Sequence, residues 1–156
     1  MPYTSSNHIF EAIAGQIDSQ LSDKVGGVVI FDGDLTQAIE QHLNESGLGD
    51  TTIFVGMPES TAETLDGCGL PMREMLAVDV YVVVRAKGRS RYGIDRERLW
   101  DITDSVVNDV FSCDNRTTLF RERVYGLQFV RRARMQGQTP ELLATRVEFT
   151  VEGANT

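Results

Sequence analysis

The sequence predicts a single α+β domain over residues 1–156, with a mixed, mostly antiparallel sheet and amphipathic helices packed on one face. Three observations predict it. From Met72 to Ala86 the even positions read Met, Glu, Leu, Val, Val, Val, Val, Ala, whereas the odd ones include Arg73, Asp79, Tyr81, Arg85 and, just beyond, Lys87. That is the two-residue period of a strand with one buried face. Downstream, Leu99, Ile102, Val106 and Val110 make a helical stripe widened by Trp100, Val107 and Phe111, with Asp101, Asp104 and Asp109 opposite. Near the end, Leu143, Thr145, Val147, Phe149 and Val151 alternate with Arg146, Glu148, Thr150 and Glu152, a second one-sided strand. At 156 residues and 41% hydrophobic, the chain has material for one substantial core and not for two.

The elements follow in order. Ser5, Ser6 or Asn7 caps a first helix whose Ile9, Ile13, Ile17 and Leu21 fall four apart, with Phe10 and Ala14 alongside. Lys24 to Gly27 turns into Val28-Val29-Ile30-Phe31, a continuous apolar run of the kind found in a buried strand. Asp34 opens a second helix with Gln37 as capping-box partner, Leu35, Ala38, Ile39 and Leu43 as its apolar face and Gly47 as its stop. Thr51 to Met57 reads as a strand, and Pro58 to Pro71 as a loop without period, long enough to suggest a segment ordered by a partner. The central strand, taken from Glu74 to Lys87, would reach about 45 Å at ~3.3 Å per residue, so part of it is expected to leave the domain's own sheet. Asp95 is the expected cap of the helix that runs to Phe111, and Val80, Val82, Trp100 and Val106 are expected to meet in the core. Thr117 to Arg134 reads as extended, with Leu119, Tyr125, Leu127 and Phe129 on one face and a bulge or bend at Gly126. The break Gln136 to Pro140 leads to the final strand, which pairs most simply antiparallel with it.

Charge narrows the function classes. The formal net charge is −8, which argues against a surface built to neutralise phosphates. Its distribution is bipolar: residues 1–84 carry 2 basic and 13 acidic side chains, residues 85–134 carry 12 and 7, and residues 135–156 carry 1 and 3. Cys68 and Cys113 are the only cysteines and lack metal or disulfide spacing, so free thiols in a reducing compartment are expected. No apolar run approaches the ~18 residues of a membrane span, and Met1 to Thr4 lacks the regions of a signal peptide. His8 and His42 fall on separate helices without ligand partners, and no nucleophile and base form a set, so neither a metal nor a cofactor is expected.

One motif invites an enzymatic reading. Val28 to Phe31 followed by Asp32-Gly33-Asp34-Leu35-Thr36 resembles the first motif of the haloacid dehalogenase-like phosphotransferases. That resemblance implies Asp32 as nucleophile, Asp34 as general acid and base, and magnesium beside them. The family also needs a doubly wound parallel sheet, a phosphoryl-stabilising lysine and a later acidic pair. Here the only lysines are Lys24 and Lys87, the second half reads as antiparallel, and Asp79 falls in mid-strand. A turn at Asp32-Gly33 and a helix cap at Asp34 account for the same residues, so no catalytic residue is assigned.

The order of elements carries a second resemblance. An N-terminal amphipathic helix, a short strand, an acidic middle, the long strand Arg73 to Lys87, the helix Asp95 to Phe111 and the closing strand Ala144 to Glu152 resemble the tail terminator proteins of long-tailed bacteriophages. The resemblance implies a non-enzymatic virion protein, assembled in the host cytoplasm and placed at the head–tail junction. It further implies a homo-oligomeric, hexameric ring that ends polymerisation of the tail tube protein, meets the head–tail connector protein and lets DNA pass without binding it. Another ring component, a head-completion or baseplate subunit, is the alternative. A head-to-tail ring joins different surfaces, which suits a bipolar chain. Arg131, Arg132 and Arg134 are the expected basic side of that contact, and Glu59, Glu63 and Asp66 the acidic side.

Overall fold

The computed structural model describes residues 6–31, 35–43, 51–56, 60–65, 71–85, 92–112, 119, 124–135 and 142–154. Helix α1 (Ser6–Leu21) leads to β1 (Gly27–Ile30), α2 (Leu35–Leu43) and β2 (Thr51–Gly56). Strands β3 (Ser60–Leu65) and β4 (Pro71–Arg85) come next, followed by α3 (Tyr92–Ser105), which continues into a π-helical segment, Val106–Val110. Strands β5 (Tyr125–Arg134) and β6 (Leu142–Ala154) close the chain. One mixed, mostly antiparallel sheet runs β1-β2-β4-β6-β5, with β3 paired to the free half of β4. Among the described strands only β1 and β2 run parallel.

The periodicities place the core where the sequence puts it. Ile9, Ile13, Ile17 and Leu21 of α1, Leu99 and Ile102 of α3, and Val106 and Val110 of the π segment are buried against Val78, Val80, Val82 and Val84. All five inward residues of β6, from Leu143 to Val151, are buried on this same face. Helices α1 and α3 therefore pack on one face, the even face of β4. Trp100 does not join Val80, Val82 and Val106 in that cluster; it is half-buried at the flank of the stripe.

Two buried polar contacts fix the helices. Thr103 Oγ1 lies 2.6 Å from the Leu99 carbonyl oxygen and 2.6 Å from Thr145 Oγ1. A hydroxyl has one proton, so Thr103 donates it back along the helix and accepts from Thr145 on β6. Gln16 Nε2 of α1 donates to the Val110 carbonyl at 3.1 Å, at the end of the π segment. Each contact satisfies a group that burial would otherwise leave unpaired.

The odd face of β4 departs from the sequence expectation of a solvated surface. Asp79 is 1% exposed and Tyr81 9%: residues of α2 pack in the cluster that holds Tyr81, and Tyr81 and Arg146 lie against Asp79. Ala38 and Ile39 pack there with Phe54, Tyr81, Val83 and Ala144, and Val29, Phe31 and Leu35 fill the margin. The apolar run Val28 to Phe31 reflects cover on both faces, Val28 toward the α1 side and Val29 and Phe31 toward the α2 side. Its strand is nonetheless an edge, with Ile30 38% exposed, instead of a fully buried one.

Three further expectations change. Residues Pro58 to Pro71 contain β3, so the segment is not a structureless loop; along β4, β2 reaches only Asp79 to Val84, and β3 occupies the remaining edge. Strand β4 does not leave the sheet, since every residue from Arg73 to Arg85 has a partner on β6. Asp95 is not a cap: α3 already begins at Tyr92, and Asp95 is buried in its first turn, 3.4 Å from Arg98 Nη2. An acid there still suits the helix dipole. Gly126 does mark a bulge, with φ at 64° and a register shift between Tyr125 and Gln128.

Gly56, at the end of β2, is held to its small size by an aromatic neighbour. A Cβ there would sit 2.7 Å from Cε1 and Cζ of Phe31, whose ring packs edge-on to Tyr81 at 5.7 Å and Phe54 at 6.3 Å. Gly56→Ala should therefore cost about 1–3 kcal/mol in denaturant unfolding, as overpacking does. Phe31→Leu in the same chain should recover part of the loss, and a Gly56→Ala protein as stable as the wild type would show that the ring moves freely.

Candidate subunit interface

Strand β5 lies at one end of the sheet, bonded to β6 on one side only. Its six consecutive residues Gln128 to Ala133 are all exposed, including Phe129 at 43% and Val130 at 51%. Such a run is unusual, because a strand over a helical layer normally hides alternate side chains. A second register shift between Phe129 and Arg131 explains part of it: the extra residue, Val130, turns out of the ladder. Phe129 belongs to an aromatic series leading from core to edge, with Phe111 to Phe149 at 5.0 Å and Phe149 to Phe129 at 6.1 Å.

The bulge also separates the arginines. Arg131 pairs with Glu148 and so faces the α2 side, whereas Arg132 and Arg134 lie opposite Val147 and Thr145 and face the α3 side. Arg131 holds Glu148 through two bonds, Nε to Oε2 at 2.7 Å and Nη2 to Oε1 at 3.1 Å. Arg132 reaches Asp104 of α3 at 3.3 Å, with its guanidinium carbon 5.8 Å from the Phe129 ring centre. Arg134 Nε is buried and has no hydrogen-bond partner among the described residues. The three expected basic residues thus share a strand but not a face. Of the expected acids, Glu63 has only its backbone position in β3 described, and Glu59 and Asp66 lie outside the described residues. So do Asp32 and Asp34 of the phosphotransferase-like motif; α2 begins directly after them, at Leu35.

Beneath Arg131 runs a ladder of charges that the sequence reading missed. The Tyr81 hydroxyl donates to Asp79 Oδ2 at 2.9 Å, Arg146 Nε lies 2.8 Å from that same oxygen, and Arg146 Nη2 reaches Glu148 Oε1 at 2.9 Å. The series Tyr81, Asp79, Arg146, Glu148, Arg131 thus crosses β4, β6 and β5. Its sequence signal is faint: Asp79 and Tyr81 are two apart on β4, and Arg146 and Glu148 two apart on β6, so each pair shares a face. Burial pushes the Asp79 carboxyl above its ordinary value, and the Tyr81 and Arg146 contacts offset this only in part. Burial and the adjacent Asp79 charge likewise push the Tyr81 hydroxyl up. Asp79 Oδ1 has no hydrogen-bond partner among the described residues.

Elsewhere, a cleft of about 430 Å³ runs along α3 between Ile94 and Ser105. Lys24 and Arg98 alternate with Glu97 and Asp101 around it, so it presents no single sign of charge to a ligand. Among the described residues no three His, Cys, Asp or Glu side chains are grouped as metal ligands would be, and no helix is long and apolar enough to cross a membrane. No protein-family model matches the chain, and no curated protein matches it.

The ladder makes a pH-dependent prediction. Arg146→Met removes the cation beside a buried carboxylate and should cost about 2 kcal/mol at pH 7. Because the folded-state pKa of Asp79 is raised, its protonated form favours folding at low pH, and that contribution fades as pH climbs through the folded value. The Arg146→Met loss should therefore shrink toward pH 4, and Asp79→Asn in the same chain should recover most of it at pH 7. A loss independent of pH would mean that Asp79 is not the group left unpaired.

Proposed function

We propose that this chain is the subunit of a head-to-tail homo-oligomeric ring, of the tail-terminator kind that ends a phage tail tube and meets the head-side connector. The observation that carries it is the β5 edge: a strand paired among the described residues on one side only, with Phe129 and Val130 exposed beside three arginines, on a chain whose basic and acidic segments are separated. Soluble folds shield long edges of this kind or use them to associate. Arg131, Arg132 and Arg134 form the proposed basic side of the contact, and Glu59, Glu63 and Asp66 the acidic side. A net charge of −8 also suits a channel through which DNA slides without adhering. A head-completion or baseplate ring would use the same surfaces. That the strand leading to Asp32 is the edge of a mostly antiparallel sheet favours the ring reading over the phosphotransferase alternative.

Native mass spectrometry tests the reading. The purified protein should form one closed species of more than two copies that dissociates as salt rises, because partly exposed charges are screened within ~8–10 Å at physiological ionic strength. Arg134→Glu should weaken that species and, because Arg134 is half-buried, should also cost the subunit about 1 kcal/mol while leaving it folded. A tail carrying it should lose length control. Magnesium-dependent phosphatase activity that disappears in Asp32→Asn would overturn the structural role.

A further inference from the structure

The two ends of the sheet are unlike, and they are complementary. Among the described residues β1 pairs only with β2, and β5 only with β6. Strand β1 runs with β2, while β2 and β6 both run against β4. Strand β5 runs against β6, hence along β4 and against β1. Setting one copy beside the next with the same face forward therefore places β5 antiparallel to the neighbour's β1. No turning over is required. Building on the ring reading, we infer that the ring closes by this contact, β5 of one copy adding to β1 of the next to continue a single sheet around the assembly.

Backbone geometry supplies both halves of the ladder. The Phe31 N–H donates inward to the Val55 carbonyl at 3.0 Å, so strand alternation turns the N–H and C=O groups of Val28 and Ile30 outward. The Met135 N–H donates inward to the Ala144 carbonyl at 2.9 Å, so those of Arg134 and Arg132 turn outward on β5. Side chains select the pairing. Two β5 strands related by a twofold axis would set Arg132 and Arg134 against their own copies, and like charges directly opposite are destabilising. Strand β1, Gly27-Val28-Val29-Ile30, carries no charge and offers the exposed Ile30 to the exposed Phe129 and Val130. The arginines thus refuse self-pairing and tolerate β1, whose lack of charge means that the backbone contact itself does not use Glu59, Glu63 and Asp66. A contact between different edges is heterologous, and it either closes into a ring or grows as a filament.

The test uses proline at outward positions, where it removes an N–H that the subunit's own ladder does not use. Ile30→Pro and Arg132→Pro should each reduce the assembly to monomers in native mass spectrometry. Mixed one to one, they should form heterodimers and nothing larger, because the first retains a working β5 edge and the second a working β1 edge. In the wild type, amide exchange at Val28, Ile30, Arg132 and Arg134 should slow at least about tenfold as concentration rises into the assembled range. That measurement stands even if a proline variant misfolds. Proline variants that assemble as the wild type does, or an assembled wild type whose four amides exchange as in the monomer, would overturn the edge contact and leave the ring standing. A wild type that stays monomeric at every concentration would overturn both.

Discussion

Thirteen consecutive residue pairs join β4 to β6, and the rest of the molecule depends on their register. A one-residue slip would exchange the two faces of β4. Asp79 and Tyr81 would enter the aliphatic layer under α1 and α3, and Val80 and Val82 would face Arg146 and Glu148. An unpaired carboxylate in that layer is strongly destabilising. The charged residues of β4 thus act as a lock on a strand whose valines alone would accept either alignment.

The two faces are stabilised differently. Under α1 and α3 the layer is mostly aliphatic, and two buried polar contacts cross it, Thr145 to Thr103 and Gln16 to Val110. Under α2 the layer is smaller and mixes the rings of Phe31, Phe54 and Tyr81 with Ala38, Ile39, Val83 and Ala144, and on the same face Asp79 is bound to Arg146. Aliphatic contacts are adaptable, whereas a ring wedged over Gly56 and an ion pair at 2.8 Å are specific in place. Volume holds the first face together. Geometry defines the second.

Strand β5 inherits from both. Its bulges send Arg131 to the ionic side and Arg132 and Arg134 to the aliphatic side, and leave Val130 outside the ladder. Because Glu148 and Asp104 already hold two of these arginines, their charges are partly neutralised and their side chains fixed before any partner arrives. A pre-ordered edge loses less entropy on association than a flexible one. In the proposed ring contact, the exposed apolar pair Phe129 and Val130 would add area that arginines alone would not.

The sequence by itself determined the strand and helix periods, the even face of β4 as the core, the inward set of β6, the stripe of α1 and the bulge at Gly126. Each of these is local: a side chain's direction follows from its position in a strand or helix, and a glycine's freedom from its missing Cβ. Only the tertiary structure decided that Asp79 and Tyr81 are buried, that β3 interrupts the expected loop, that Trp100 stands aside and that neighbouring arginines face apart. Those depend on what lies across the sheet. Asp79 looks solvated until Arg146 arrives from far along the chain, and Arg131 looks allied to Arg132 until one extra residue turns it to the opposite face. Periodicity records which way a side chain points, but what it meets there is set by elements that share no local pattern with it.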